Sequence, residues 1–491
     1  MVSAKTGVLG RLVRESAIYG GGDFLLKLVA FFTFPLLAAV LSSSGFGLLE
    51  LAMTVVSLGG ILVRCGLNNA VQRFYWDQTI QFSERSLLVS TGFFITLFFG
   101  LLCGAIAYGV VPYILSLVNE NSISLSIVGA LAIALLLPLT QWAQYLQDVL
   151  RLHFSPWKFL GFSFTSRALG SLLSVVAVLY WGAGVEGVLL AQALVLFMAI
   201  PLGLWLVRKD MILKVDAIWS RRLLAYGSPF IFTELAYWLF SSIDRWMLAS
   251  ISGVDEVGLY SVAFRFSTLA IFVATAFGMA WSPYAVKIRA DYPNEHRKLY
   301  FEVLMILLVI MLSVAGFIAL FSGEILSLLL PVEYFAAAVP LAILCFTAVL
   351  QASQQVTAIG ISLANRTKVF AYLVWVAALL NILLNLWLIP HFGVSGAAWA
   401  TVMAYLFLSS GFLFYTQRYY PLPVSWTRLL WLCLLGSVVL VVSVFFQHNE
   451  LDLGIILIKL GVAVSCLLLA LPAIDLKIFR AIQDSSVATK E

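Results

Sequence analysis

The sequence predicts an all-α polytopic membrane protein: fourteen transmembrane helices, built as two six-helix lobes related by a pseudo-two-fold along the membrane normal plus a C-terminal helix pair. Three observations predict it. The 491-residue chain is 62% hydrophobic and 11% charged, with a mean hydropathy of +1.02, against roughly 45–50% apolar and about 25% charged residues in soluble domains. Fourteen apolar stretches reach the length of about 20 residues that a spanning helix needs. Finally, segments recur at an offset near 209 residues, the mark of a unit used twice.

Taken in order, Lys5, Arg11 and Arg14 precede the first span, 18–41. That span is too long for the apolar core of a cleavable signal and contains Asp23 and Lys27. Spans 47–66, 87–110, 125–146, 161–180 and 188–207 complete an N-lobe, 1–207. The basic stretch 208–222, with Arg208, Lys209, Lys214, Arg221 and Arg222, is the expected cytoplasmic linker. The C-lobe, 223–420, holds spans 225–251, 257–280, 300–321, 335–358, 369–389 and 394–416. Residues 421–491 hold the last two spans, 428–446 and 454–473, and a cytoplasmic tail. Short polar turns such as Ser42-Ser43-Ser44-Gly45 and the glycine-rich turn at 182–187 leave no room for an extramembrane domain between spans.

The repeat is carried by ordered matches. Gly184-Val185-Glu186-Gly187 recurs as Gly393-Val394-Ser395-Gly396, Tyr19-Gly20 as Tyr226-Gly227, and Gly47-Leu48 as Gly258-Leu259. Gln141 and Gln144 recur as Gln351 and Gln354, and Lys158 as Lys368. Six spans per repeat is an even number, so both copies enter the membrane in the same sense and their axis runs along the membrane normal.

Charge sets the expected orientation. With the N-terminus inside, every Lys and Arg outside the spans falls on the cytoplasmic side, including Arg73, Arg85, Arg151, Lys158, Lys287, Arg289, Arg297 and Lys298. The opposite turns carry only acids, among them Glu120, Glu186, Asp255, Glu256, Glu324, Glu333, Glu450 and Asp452. This is the positive-inside pattern, and it puts both termini in the cytoplasm. No basic run is interleaved with exposed aromatics as a nucleic-acid surface requires, so no nucleic-acid partner is expected. Cys65, Cys103, Cys345, Cys433 and Cys466 sit singly in apolar stretches and read as packing residues.

Charges inside the spans are the candidate functional residues. A charge at mid-bilayer costs at least about 2.5–3.5 kcal/mol on insertion scales, so it faces protein or a wet cavity. Lys27 lies about 14 Å into span 1 at 1.5 Å per residue, and Glu234 occupies the equivalent position in span 7. Together they read as a substrate or coupling-ion site, beside the simpler reading of Lys27 bridging to Asp23 one turn earlier. Asp244 and Arg265 are placed to pair across the turn between spans 7 and 8. Arg245 follows Asp244 and is expected to point about 100° away from it, which makes Arg245 and Arg265 the anion-facing candidates. Their planar guanidinium forks suit phosphate. Arg64, Arg167 and Lys459 read as snorkelling residues near span ends, with Arg64 also a cytoplasmic-gate candidate. Gln141, Gln144, Gln351, Gln354 and Gln355, with Asn381 and Asn385, serve either as sugar contacts or as packing hydrogen bonds between helices. Trp142 and Tyr145 lie beside the first glutamines, placed to stack on sugar rings.

His153, His296, His391 and His448 are scattered in expected loops, and no phosphate-binding Gly-rich loop precedes a Lys-Ser/Thr pair. The sequence therefore implies no metal, no cofactor and no ATP hydrolysis, and it is read as a non-enzyme that runs on an ion or substrate gradient.

Four motifs carry a family resemblance: Arg73-Phe74-Tyr75, Ser242-Ile243-Asp244-Arg245, Val257-Gly258-Leu259-Tyr260 with Phe264-Arg265, and Asn381 and Asn385 leading into Leu388-Ile389-Pro390-His391-Phe392-Gly393-Val394 and Gly396-Ala397-Ala398. On these, from about Tyr19 to Pro421, the sequence resembles the polysaccharide transport family, the Wzx-type flippases. That family shares a superfamily with the MATE exporters and the lipid II flippase MurJ. The resemblance implies a two-lobed transporter in the bacterial inner membrane. It would move undecaprenyl-pyrophosphate-linked oligosaccharide units of O-antigen, capsule or exopolysaccharide from the cytoplasmic to the outer leaflet by alternating access. It also implies membrane lipids, H+ or Na+ as coupling ion, and polysaccharide polymerase and chain-length machinery as partners. Wzx-type members usually have twelve spans. The extra pair here departs from that pattern and, by likeness to MurJ, is a candidate surface for the lipid tail. The alternatives are a MATE-like ion-coupled exporter of small molecules, which needs an anionic or aromatic site, and a membrane-bound polymerase, which needs a large outer catalytic loop.

Overall fold

The computed structural model describes residues 2–77, 82–118, 125–364, 366, 368–447 and 452–475. Glu120, His448, Glu450 and the side chains of Lys5, Arg11, Arg14 and Asp23 lie outside the described residues. The described elements are helical throughout, as hydrocarbon requires: with no water to bond, each backbone N–H and C=O must be satisfied within its own segment. They are α1 (Val2–Arg64), α2 (Leu67–Tyr75), α3 (Phe82–Val118), α4 (Ile127–Leu152) and α5 (Pro156–Ser163), then a π-helical turn (Phe164–Ala168), α6 (Leu169–Trp181) and α7 (Gly184–Val207). There follow α8 (Ala217–Ile251), α9 (Val254–Asp291), α10 (His296–Leu320), α11 (Ser322–Leu329), a 3-10 turn (Val332–Ala337), α12 (Ala338–Leu363), α13 (Lys368–Tyr419), α14 (Trp426–Phe445) and α15 (Leu453–Ala470).

Eleven helices among the described residues are long and apolar enough to cross a membrane. The fourteen expected stretches map onto these helices and α8 differently from one stretch per helix. Expected spans 1 and 2 form the single helix α1, broken at Ser42 (φ 63°). Across that break the rings of Phe34 and Phe46 lie 6.5 Å apart, where twelve residues of straight helix would separate them by about 18 Å. The chain therefore bends back on itself at one residue, and the expected four-residue turn shrinks to that point. Spans 11 and 12 likewise share α13, broken at Gly393 (φ 53°). Beyond the break Gly396 packs so tightly on the Leu388 carbonyl that a Cβ would overlap it. Two histidines expected in loops start or lie within helices: His296 in α10 and His391 in α13.

The chain divides into two compact units, Met1–Ser242 with Gly253–Gly258, and Ile243–Ser252 with Leu259–Glu491. In the first, α4 packs between α3 and α7, and the buried Tyr145 hydroxyl donates to the Val89 carbonyl at 2.7 Å. The basic stretch after α7 is stitched onto this unit. Ile212 N–H donates to Ser90 Oγ (2.7 Å), Asp216 N–H to Thr91 Oγ1 (3.1 Å), and His153 Nε2 lies 3.0 Å from Asp210. The Arg73-Phe74-Tyr75 motif ends α2: Phe74 sits against Trp219 and Tyr226, with the Arg73 guanidinium 4.7 Å above the Tyr226 ring. The repeated glycines Gly47 and Gly258 meet in this unit. A Cβ on Gly47 would strike the Val254 carbonyl, and one on Gly258 the Ser43 carbonyl, so α1 and the start of α9 touch backbone to backbone.

In the second unit α10, α12 and α13 form the core, and α14 and α15 dock on α10. Two ion pairs fasten them. Arg428 grips Glu302 (1% exposed) through both nitrogens, at 2.7 and 3.0 Å, and Lys459 meets Glu324 at 2.6 Å. Lys459 is 2% exposed, so it does not snorkel to an interface. An ammonium this deep is held because the Glu324 carboxylate reaches it, and Glu324 leaves the expected outer-turn surface to do so. A cavity between α10, α14 and α15 measures about 10 Å³, which is barely room for one water.

Candidate functional site

The predicted polar residues collect in two clusters, one in each unit. In the first unit α1 ends at Arg64, whose Nη2 lies 3.2 Å from Glu234 Oε2 on α8. Arg64 is thus engaged with a carboxylate. One turn further along α8, Trp238 Nε1 donates to Ser57 Oγ (2.9 Å) and the Thr54 carbonyl (3.2 Å), which fixes α8 against the second arm of α1.

Beside this pair runs an amide and carboxylate chain on α4. Gln144 donates to Asp148 Oδ1 at 3.0 Å, and Arg151 approaches the same oxygen at 3.8 Å. Arg167 donates from Nη2 to Gln144 Oε1 (2.7 Å) and Gln147 Oε1 (2.8 Å). Arg64 and Arg167 both lie close enough to act on the Asp148 carboxylate. Arg167 lies eleven residues after the Pro156 start of its helix, about 16 Å along the axis, and its side chain is exposed. Gln141 is buried against Gly60 of α1 and donates to Thr140. Lys27 is half-buried on α1.

The second cluster joins two of the resemblance motifs. Asp244 (1% exposed) accepts from the Tyr260 hydroxyl, which also lies 3.1 Å from Thr401 Oγ1. Arg245 does not point away from Asp244. Its backbone N–H donates to Asp244 Oδ1 at 2.8 Å, and its Nη1 curls back to 3.6 Å from the same oxygen. The long side chain overcomes the 100° helical separation because Phe264 and Tyr260 offer ring faces 4.8 and 5.7 Å from the guanidinium. Asp244 and Arg245 are therefore interior residues of the second unit, while Arg265 is half-buried one residue after Phe264.

The remaining amides mostly bind protein. Asn385 donates to Asn381 at 3.0 Å, with both side chains fully buried. Gln354 donates to Ser409 at 2.9 Å, Gln351 is half-buried, and the exposed Gln355 lies against Gly278 of α9. The interhelical hydrogen-bond reading accounts for Gln354, which reaches Ser409 on α13, whereas Asn381 and Asn385 bond each other one turn apart on the same helix.

Sequence reasoning passed over Asp148 and undervalued Arg167. The signal was present: Gln144 and Asp148 are four residues apart, on one face of a helix. An apolar groove of about 730 Å³ lies in this first unit too, among α3, α4 and α7, lined by Leu101, Tyr108, Leu135, Pro138, Trp142 and Phe197.

A family model described as "Polysaccharide biosynthesis protein" matches residues 12–289, and one described as "MatE" matches residues 229–387. Among solved structures the chain is similar to the lipid II flippase MurJ in an inward closed conformation, with a TM-score of 0.69 and 14% identity over 93% of this chain and 98% of that one. It is also similar to a multidrug resistance MATE family transporter of the MOP superfamily in an inward-facing conformation (TM-score 0.67, 15% identity, 80% and 93% covered). A mutant of the Vibrio cholerae MATE transporter VcmN gives a TM-score of 0.57 at 14% identity, with 85% and 98% covered. At these identities the likeness establishes the fold. No curated protein matches the sequence.

Proposed function

Since the chain belongs to the polysaccharide biosynthesis protein family and has the fold of MurJ and the MATE transporters, we propose that it is a flippase for lipid-linked oligosaccharide. The cargo is an undecaprenyl-pyrophosphate-linked repeat unit of O-antigen, capsule or exopolysaccharide. It passes from the cytoplasmic to the outer leaflet of a bacterial inner membrane as lobes 1–207 and 223–420 exchange access. Both termini lie in the cytoplasm. An H+ or Na+ gradient drives the cycle, and the polymerase and chain-length machinery take the product.

One observation carries this reading beyond the family: cations cluster within apolar helices of the first unit. Arg64 and Arg167 stand there with Asp148 and Glu234 and the amides of Gln144 and Gln147. A diphosphate-linked sugar presents anionic oxygens and hydroxyls, which such a set meets with charge-assisted and neutral hydrogen bonds. Lys27, Glu234, Arg64 and Arg265 are the cargo or coupling-ion residues in this reading, and Asp244 and Arg245 form the scaffold behind Arg265. The MatE match over residues 229–387 favours one alternative, an ion-coupled exporter of small molecules.

The test is deletion of the gene followed by leaflet-resolved detection of the lipid-linked oligosaccharide. Accumulation on the cytoplasmic leaflet is expected. An unchanged leaflet distribution, with altered resistance to organic cations, would establish the exporter instead.

A further inference from the structure

Between Val207, where α7 ends, and Ala217, where α8 begins, residues 208–216 run without a helix. With the first turns of α8 they bring together Arg208, Lys209, Lys214, Arg221 and Arg222 against two acids, Asp210 and Asp216. The stretch is not slack. Ile212 N–H donates to Ser90 Oγ and Asp216 N–H to Thr91 Oγ1, and both acceptors are buried side chains of α3. Its backbone is thereby held in one shape, and so is the set of side chains it shows outward.

That shape sorts the charges by sign. Asp210 is 6% exposed and meets His153 at 3.0 Å. Asp216 is half-buried and caps α8, accepting the Trp219 N–H at 2.7 Å. Both acids are thus spent on the fold. The five cations are all exposed, and none of them is in an ion pair among the described residues. Two are seated on indoles: the Arg208 guanidinium lies 4.8 Å from the Trp205 ring centroid, and that of Arg222 lies 5.3 Å from the Trp219 centroid. A ring face positions a guanidinium and leaves its positive charge in place.

Apolar side chains stand among these cations. Leu213 is 93% exposed, and Ile212, Val215 and Ile218 are exposed beside it. A contiguous apolar patch rimmed by charge marks a contact with protein or membrane, and position decides between the two. The patch begins five residues past the end of α7, a helix long and apolar enough to cross a membrane. In the last turn of that helix Trp205 is exposed, and indoles collect at the level of the lipid headgroups. An apolar centre with a cationic rim at that level is complementary to an anionic headgroup above its acyl chains.

We propose that residues 208–222 form a membrane-surface anchor that selects anionic phospholipid. The clustered cations take the headgroups, and Leu213, Val215 and Ile218 enter the acyl region beneath them. Selection comes from net negative charge, which draws a polybasic segment to the surface and which a zwitterionic lipid lacks. The partner is the phospholipid of the surrounding leaflet and not the transported cargo, so the anchor serves a flippase and a small-molecule exporter alike.

The test places the full-length protein, cysteine-less apart from a fluorophore-labelled Ala217→Cys, in nanodiscs of phosphatidylcholine and phosphatidylglycerol. One or the other lipid carries a quenching spin label high on its acyl chain. At equal mole fraction, labelled phosphatidylglycerol should quench at least threefold more than labelled phosphatidylcholine. Salt at 1 M, where the Debye length is about 3 Å, should remove most of that difference. Lys214→Gln with Arg221→Gln and Arg222→Gln should abolish the preference and leave quenching by phosphatidylcholine. Leu213→Ser with Ile218→Ser should lower quenching by both lipids. Thermal unfolding of each variant reports the fold independently. Equal quenching by the two lipids in the unsubstituted segment overturns the proposal, as does a preference that survives the triple charge change. Fluorescence untouched by either lipid also overturns it, and makes the patch a docking face for an acidic soluble partner.

Discussion

At the scale of single residues, similar sequence signals acquired different meanings from their partners. Lys459, Arg64 and Arg167 all looked like cations near span ends, and each is held by a different device: a buried carboxylate, a half-buried carboxylate and a pair of amides. The helix that carries Arg167 starts five residues earlier than the apolar run suggests. Partner identity was not legible at all, since Arg64 and Glu234 are 170 residues apart. The identity of the chemistry-bearing residues was legible, because an insertion penalty of a few kcal/mol per charge makes each intramembrane charge conspicuous. From this follows an expectation for complementation of a deletion strain. Lys27→Ala and Arg265→Ala should abolish polysaccharide export while membrane levels stay normal; full export in both would make them structural. For the Arg64–Glu234 pair, exchanging the two residues should restore more export than either single neutralisation retains, if the pair's mutual attraction matters more than which helix bears which sign.

At the scale of elements, the repeat and the glycines were the best sequence signals. Gly47 and Gly258 stood out as a repeated dipeptide, and they turn out to lie where the backbones of α1 and α9 touch. Small residues permit such close approach between helices in membranes. Gly258→Leu should therefore cost about 1–3 kcal/mol through overpacking, read as a lowered unfolding temperature in detergent, whereas Gly461→Leu, in open space on α15, should cost little. What the sequence could not show was that hydropathy peaks 1 and 2, and 11 and 12, run on as single helices broken at one residue, because the polar stretches between them mark a break without giving its length. The fastening of α15 was equally hidden. Removing only one partner, as in Lys459→Met, should destabilise by roughly 3–5 kcal/mol. The double change Lys459→Met with Glu324→Leu should recover much of the loss. Thermal unfolding of the two singles and the double decides it.

At the scale of the whole molecule, composition and charge asymmetry made the membrane class plain, and the orientation they predict is directly testable. In a cysteine-less background, single cysteines at Arg73, Lys214 and Arg297 should react with an impermeant thiol reagent only after the membrane is opened, and one at Asp255 should react in intact cells. Labelling of all four from outside would refute the orientation.

The fastening of the final helix pair also makes two acids of the preceding fold depend on it. Glu302 and Glu324 are 1% and 5% exposed, and their cations come from α14 and α15. A chain cut near Tyr420 would leave both carboxylates without those partners. Such a truncated chain should accordingly accumulate in the membrane better when Glu302→Gln and Glu324→Gln accompany the cut than when the two acids remain.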